Sequence, residues 1–187
     1  AMAEDLAGNK AYHQIQVNVL DSVLRKYTYD KNGNLIKKEE GANVAIYAYD
    51  YEDRLTSVTT NGTTTASYTY DGEGKRVSAT ESGVTTYYLY DGLLPIIERN
   101  SSGATVAAYT RGLSYGGGIG GIISRRSGVG GSQYYLYDGL GNVTHLTDSS
   151  GKEVKSYTYE AFGNLVTQSG TATNPYQYQT KQFNSAT

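Results

Sequence analysis

Apolar and polar residues alternate along short runs that are broken by Asp-, Asn- and Gly-bearing turns, and no stretch sustains the 3.6-residue period of a helix. The phrase Tyr135-Leu136-Tyr137-Asp138-Gly139-Leu140-Gly141-Asn142-Val143 shows the pattern best. Tyrosines at i and i+2 project from one face of a strand. Asp138 and the two glycines then supply the local hydrogen bonding and positive φ that reverse a chain, and Val143 begins the returning strand.

Variants of the phrase recur. Tyr27-Thr-Tyr29-Asp30-Lys-Asn-Gly33 and Tyr47-Ala-Tyr49-Asp50 are followed by Tyr68-Thr-Tyr70-Asp71-Gly-Glu-Gly74 and Tyr88-Leu-Tyr90-Asp91. After an irregular stretch come Tyr135-Leu-Tyr137-Asp138, then Tyr157-Thr-Tyr159-Glu160-Ala-Phe-Gly163 and Tyr176-Gln-Tyr178. The second tyrosines stand at 29, 49, 70, 90, 137, 159 and 178, spaced by 20, 21, 20, 47, 22 and 19 residues. A degraded copy, Tyr109-Thr110-Arg111, divides the long interval. Further turn signals lie midway between copies at Asn61-Gly62, Ser82-Gly83, Ser102-Gly103 and Ser150-Gly151.

A period of this length fits one hairpin per copy; it is too short for a helical-hairpin repeat or for a propeller blade of about 40 residues. One hairpin buries too little surface alone, so successive copies are expected to pair edge to edge as a meander. The spacing therefore predicts an all-β chain of repeated antiparallel hairpins in a curved or spiralling sheet. The tyrosines are expected to form ladders between adjacent strands. Asp30, Asp50, Asp71, Asp91 and Asp138 are expected to hold turn amides.

Two segments depart from the period. Residues 1–23 contain Asp5-Leu6-Ala7-Gly8-Asn9 and the alternating Ile15-Gln16-Val17-Asn18-Val19, and resemble the last hairpin of a bacterial immunoglobulin-like module. They read as the tail of such a module, the alternative being a strand native to the array. The start Ala1-Met2-Ala3 reads as a remnant ahead of an excised fragment. Residues 109–133 hold Gly116-Gly117-Gly118-Ile119-Gly120-Gly121, expected to be an excursion or bulge where the array changes direction, with Ile122-Ile123-Ser124 as strand. The array then divides into repeats over 24–108 and over 134–187.

Composition sharpens this picture. The chain has 20 Tyr and 23 Gly against 2 Phe and no Trp, and 15 of its tyrosines lie in the copies, so the excess belongs to the repeat. Sixteen basic against 18 acidic residues and a single adjacent arginine pair, Arg125-Arg126, argue against a nucleic-acid surface. Cysteine is absent, so no disulfide staples the fold, and no apolar run approaches the roughly 20 residues of a membrane span.

Candidate chemistry is thin. The glycine run formally contains G-x-G-x-x-G but lacks the following helix that holds a pyrophosphate. His13 and His145 are isolated, no Gly-x-Ser-x-Gly elbow occurs, and Asp71-Gly72-Glu73-Gly74 lacks the ligand alternation of a calcium loop. No catalytic, cofactor or metal residue is assigned. The tyrosines leave two readings open: rungs that pack the sheet, or an aromatic surface for glycans.

The period and the phrase Tyr-x-Tyr-Asp-x-x-Gly-x-Leu resemble the YD repeats of Rhs proteins, which also occur in toxin-complex shells and teneurins. Tyr109 to Ile123, Tyr134 to Asp148, Tyr157 to Leu165 and Asn174-Pro175-Tyr176 resemble the start of the Rhs-associated core. The resemblance implies a secreted or surface-exposed bacterial β-shell enclosing a C-terminal toxin or effector, whose partners are the rest of its own shell and that cargo. Family self-cleavage at an aspartate-based site does not carry over, because no Asp-Pro pair occurs here. Severed sheet edges further predict edge-to-edge association with a second copy, or cover by the N-terminal strand.

Overall fold

The computed structural model describes residues 2–4, 10–12, 24–112, 121–128 and 131–183. Strands β1 (Met2–Glu4) and β2 (Lys10–Tyr12) pair only with each other, antiparallel. The expected strand Ile15 to Val19 and the immunoglobulin-like reading lie outside the described residues, as does most of the glycine run.

All other strands among the described residues form one 14-stranded sheet in strict chain order. They are β3 (Arg25–Tyr29), β4 (Leu35–Glu40), β5 (Asn43–Tyr49), β6 (Leu55–Thr60) and β7 (Thr63–Tyr70), then β8 (Arg76–Glu81), β9 (Val84–Asp91), β10 (Leu94–Asn100) and β11 (Thr105–Arg111). The second half is β12 (Ile122–Ser127), β13 (Gly131–Tyr137), β14 (Val143–Thr147), β15 (Glu153–Tyr159) and β16 (Leu165–Ser169). Every neighbouring pair is antiparallel, as a meander of hairpins requires. The glycine run is flanked by β11 and β12, which pair directly from Ala107↔Ser127 to Arg111↔Ile122.

Two kinds of turn alternate through the first half of the sheet. Between copies, two-residue turns close the hairpins, with Asn61 at φ 50 followed by Gly62 at φ 83, and Ser82 at φ 49 followed by Gly83 at φ 79. Positive φ at both positions suits the right-handed twist of the flanking strands. Within copies the turn is longer and is built on the aspartate. Asp138 Oδ1 accepts the amides of Leu140 and Asn142, both at 2.9 Å, while its carbonyl accepts the Gly141 amide at 3.1 Å.

Asp30, Asp50 and Asp71 hold the same two amide positions. Gly33, Gly74, Gly141 and Gly163 supply the positive φ, and Asp53 (φ 59) takes that place in the second copy. Asp91 departs from expectation: it ends β9 opposite Leu94, across a two-residue turn at Gly92-Leu93 in place of the longer aspartate turn. Asn100 and Asp148 make the aspartate-type turn instead, from the midway position between copies.

The buried residues fall into two clusters on one face. One comprises Tyr47, Val58, Ala66, Tyr68, Ala79 and Tyr88; the other Ala107, Tyr109, Ile122, Tyr135, Val143, Leu146, Tyr157 and Tyr176. The second to seventh copies contribute their first tyrosines, Tyr47 to Tyr157, and in three of these copies the next strand places a smaller or aliphatic residue directly opposite: Tyr47↔Val58, Tyr68↔Ala79, Tyr135↔Leu146. Tyrosines therefore occupy alternate strands, which corrects the expected ladder between adjacent ones. With one hairpin per copy, the same register returns only every second strand. Ring-to-ring stacking occurs within a strand instead, between Tyr135 and Tyr137 at 6.2 Å and between Tyr157 and Tyr159 at 6.0 Å.

Candidate functional site

The tyrosine-bearing face is where the chain's unusual chemistry collects. In each copy the strand before the aspartate turn pairs with the preceding copy over its first half only: β5 meets β4 from Glu40↔Asn43 to Lys37↔Ile46 and then diverges. A backbone carbonyl at the diverging end would be left without a strand partner, at a cost when buried. The second tyrosine of the copy fills that wedge. Tyr49 Oη donates to Leu35 O at 3.0 Å, Tyr70 to Leu55 O at 2.8 Å and Tyr90 to Arg76 O at 2.9 Å. Tyr137 donates to Ile122 O at 2.7 Å and Tyr159 to Val143 O at 3.0 Å.

The degraded copy keeps the bond with a different donor. Arg111 occupies the second-tyrosine position, and its Nε and Nη2 donate to Pro95 O at 3.1 and 3.0 Å. Tyr29 stands before any earlier strand of the sheet and is exposed, as is Tyr27. The rule is thus one side-chain donor per copy, directed at the copy before it. Burial pushes the Tyr137 phenol up to about 12, so this donor keeps its proton throughout the neutral range.

Cations lie over the rings. The Arg76 guanidinium sits 5.3 Å from the Tyr68 ring centre and 5.1 Å from that of Tyr88, Arg54 5.0 Å from Tyr70, and Lys155 5.5 Å from Tyr157. Such placements strengthen packing by about 0.5–1 kcal/mol each when exposed.

The face changes character around β10 to β13. Opposite Tyr88 stands Glu98 and opposite Tyr109 stands Arg125, both buried, where the copies of Tyr47, Tyr68 and Tyr135 place Val58, Ala79 and Leu146. Tyr109 Oη donates to Glu98 Oε1 at 2.8 Å, Arg125 Nε donates to Tyr109 Oη at 3.3 Å, and Arg125 Nη1 to Gln133 Oε1 at 3.4 Å. Burial pushes the Glu98 carboxyl above its usual range.

After β16 the chain leaves the sheet, and residues 171–183 run back across this face as a strap. The seventh tyrosine pair, Tyr176 and Tyr178, thus forms no further strand. Tyr176 is buried edge-on against Tyr109, 5.2 Å between ring centres, with Arg111 5.5 Å from its centre. Asn174 Oδ1 accepts from Tyr135 Oη at 2.8 Å. Further along, Gln177 O accepts the Val143 amide, Asn142 Oδ1 accepts the Gln179 amide, and Gln182 Nε2 donates to Tyr88 Oη. The strap therefore touches both buried clusters.

Sequence reasoning located Tyr27 through Tyr159 as repeat positions and named Arg111, Arg125 and Asn174, but gave no site role to these or to Glu98 and Gln133. The available signal was Pro175: a residue without an amide donor, just before a tyrosine pair, is ill-suited to a central strand. Among the described residues no group of three or more His, Cys, Asp and Glu could hold a metal ion, and no helix is long and apolar enough to cross a membrane.

This register of donors and carbonyls defines a tandem-repeat β protein whose unit is a tyrosine-bridged hairpin. The chain belongs to the RHS repeat family, whose model matches residues 29–65, 49–86 and 137–175. It is 34% identical over 167 residues to the tRNA3(Ser)-specific nuclease WapA of Bacillus spizizenii, covering 86% of this chain and 7% of that protein. It is 27% identical over 155 residues to human Teneurin-1, covering 80% of this chain and 5% of the relative. The chain thus spans a small fraction of the length of its relatives. Among solved structures it is similar to TcdB2-TccC3-Cdc42, with a TM-score of 0.46 and 19% identity over 76% of this chain and 9% of that one. The Photorhabdus luminescens Tc holotoxin pore matches with a TM-score of 0.45 and 20% identity, over 75% of this chain and 8% of that chain.

Proposed function

We propose that this chain is a wall segment of a secreted or surface-exposed bacterial shell that encloses a C-terminal toxin or effector. The carrying observation is the repeated donor-to-carbonyl bond. Each hairpin is tied to the one before it at the end where strand pairing stops, so the sheet extends copy by copy through its own side chains and backbone. The wall is passive, and the chemistry of the whole protein belongs to what it surrounds. Family membership and the relatedness to a nuclease many times longer support that division of labour.

Glycan recognition is the weaker reading. Stacking on a sugar needs an open ring face, whereas the first tyrosines from Tyr47 to Tyr157 are at most 8% exposed.

The test is protease protection of a reporter domain placed beyond this segment in the full-length parent protein. A reporter that survives protease in the intact parent, and is digested once several tyrosine bonds are removed together, supports enclosure. Digestion of the reporter at the rate of the free domain in the intact parent sinks it.

A further inference from the structure

The strap lands on the stretch of the tyrosine face where buried charged residues break the repeat. Three departures coincide there: Glu98 and Arg125, both buried, stand opposite tyrosines where the copies of Tyr47, Tyr68 and Tyr135 carry Val58, Ala79 and Leu146, and Arg111 replaces the second tyrosine. Replacing that tyrosine frees the space above Tyr109, and the Tyr176 ring fills it, between Tyr109 and the Arg111 guanidinium. The arginine still satisfies Pro95 O, so the wall loses nothing by the exchange.

The segment is recognised through its backbone and one amide side chain as well as through the ring. Asn174 takes the Tyr135 hydroxyl and its own Tyr176 amide on Oδ1, while its Nδ2 donates to Tyr176 O. Arg125 Nη1 reaches Thr173 O at 3.5 Å. The Tyr176 hydroxyl itself is buried with no hydrogen-bond partner, so the ring, not the phenol, is what the slot selects.

We propose that the degenerate fifth copy is a receptor slot for an extended Asn-x-aromatic segment, filled here in cis by Asn174-Pro175-Tyr176 and able to take the same segment from a second copy of this chain. The hinge favours such exchange. A Cβ on Gly170 (φ +78) would come within 2.2 Å of Val154 O, so the return of the strap depends on that single glycine. Just past it, Thr171 to Thr173 border an open cleft of about 450 Å³ with Arg125, Gln133, Asp148 and Val154, and the bonds that tie this end are long: Ala172 N–H to Val154 O at 3.4 Å and Arg125 Nη1 to Thr173 O at 3.5 Å. Exchange of an identical element between protomers through a short hinge is a low-cost route to a dimer.

The test uses the full chain carrying Asn174→Ala and Tyr176→Ala, which empties the slot, and a fluorescent synthetic peptide of residues 171–183. Anisotropy is expected to show saturable binding to this variant, at least tenfold weaker binding to the unaltered chain, and at least tenfold weaker binding once Arg111→Tyr closes the slot. Absence of binding to a variant with intact strand circular dichroism overturns the proposal, as does equal binding of a peptide carrying both alanines. If the variant does not fold, the unaltered chain is mixed with peptide at about millimolar concentration, the scale on which a short tether holds its own segment. Faster hydrogen exchange at the Tyr176 and Gln177 amides then supports competition for the slot, and unchanged exchange refutes it.

Discussion

At the scale of single residues, the two tyrosines of a copy do different work, and the difference is measurable. The first is a packing residue. The second is a hydrogen-bond donor aimed at a carbonyl that strand pairing has abandoned. Tyr137→Phe keeps the ring and deletes the donor to Ile122 O, so it should cost about 1–2 kcal/mol, the usual penalty for stranding a partly buried acceptor. The readout is a lower urea midpoint at unchanged slope. Tyr176→Phe is the internal contrast: its hydroxyl is buried without a partner, so losing it should be neutral or stabilising by up to about 1 kcal/mol. Equal losses in the two variants would show that the donor rule carries no energetic weight.

At the scale of elements, the aspartate turn couples the repeat to pH. The Asn34 side-chain amide, with the backbone amides of Asn34, Asn32 and Gly33, holds the Asp30 carboxyl below its usual range. At Asp138 burial pushes upward, but the Asn142 side chain and the amides of Asn142, Leu140 and Gly141 outweigh it. A carboxyl depressed in the folded state stabilises above its unfolded pKa of about 3.9, and that stabilisation is lost as pH falls through the lower folded value. Glu98 has the opposite sign: burial raises it, so its contribution worsens as pH rises from about 4.3 through the raised folded value. Glu98→Gln keeps an acceptor for Tyr109, and its stability relative to the unaltered chain should improve between pH 4 and pH 7 in denaturant titrations. A pH-independent difference would disconnect that carboxyl from stability. Much of this level was legible in advance, because Asp-x-x-Gly states its own geometry. The strap was not. Periodicity identifies a unit but not its neighbour, so Tyr176-Gln-Tyr178 reads as one more rung. Only Pro175 and the tight approach at Gly163, where a Cβ would lie 2.8 Å from the Tyr178 ring, distinguish it. Gly163→Ala should therefore loosen the strap around Tyr178 and speed hydrogen exchange at the Thr180 and Lys181 amides, which are bonded there to Gln177 O and Tyr178 O.

At the scale of the molecule, the sheet ends in two unlike edges. On β3 the outer strand is charged and braced, with Arg25 paired to Glu40 at 2.8 Å and Lys26 to Glu39 at 3.7 Å. Charge is a common device for blunting an edge. On the other side β16, Leu-Val-Thr-Gln-Ser, is exposed along its whole length and carries no charged side chain. Of the two, β16 is therefore the edge that templates pairing, and two copies of one edge pair most simply about a two-fold axis, which closes as a dimer. Light scattering should show a concentration-dependent dimer of the isolated chain. Val166→Lys with Gln168→Lys should return it to monomer, because the two lysines would face like charges across the new pairing. Thr28→Lys on β3 should leave the dimer intact. A dimer that survives the β16 lysines but vanishes with Asn174→Ala and Tyr176→Ala would assign association to strap exchange instead, so one set of variants separates the two routes by which a piece of wall finds a second copy of itself.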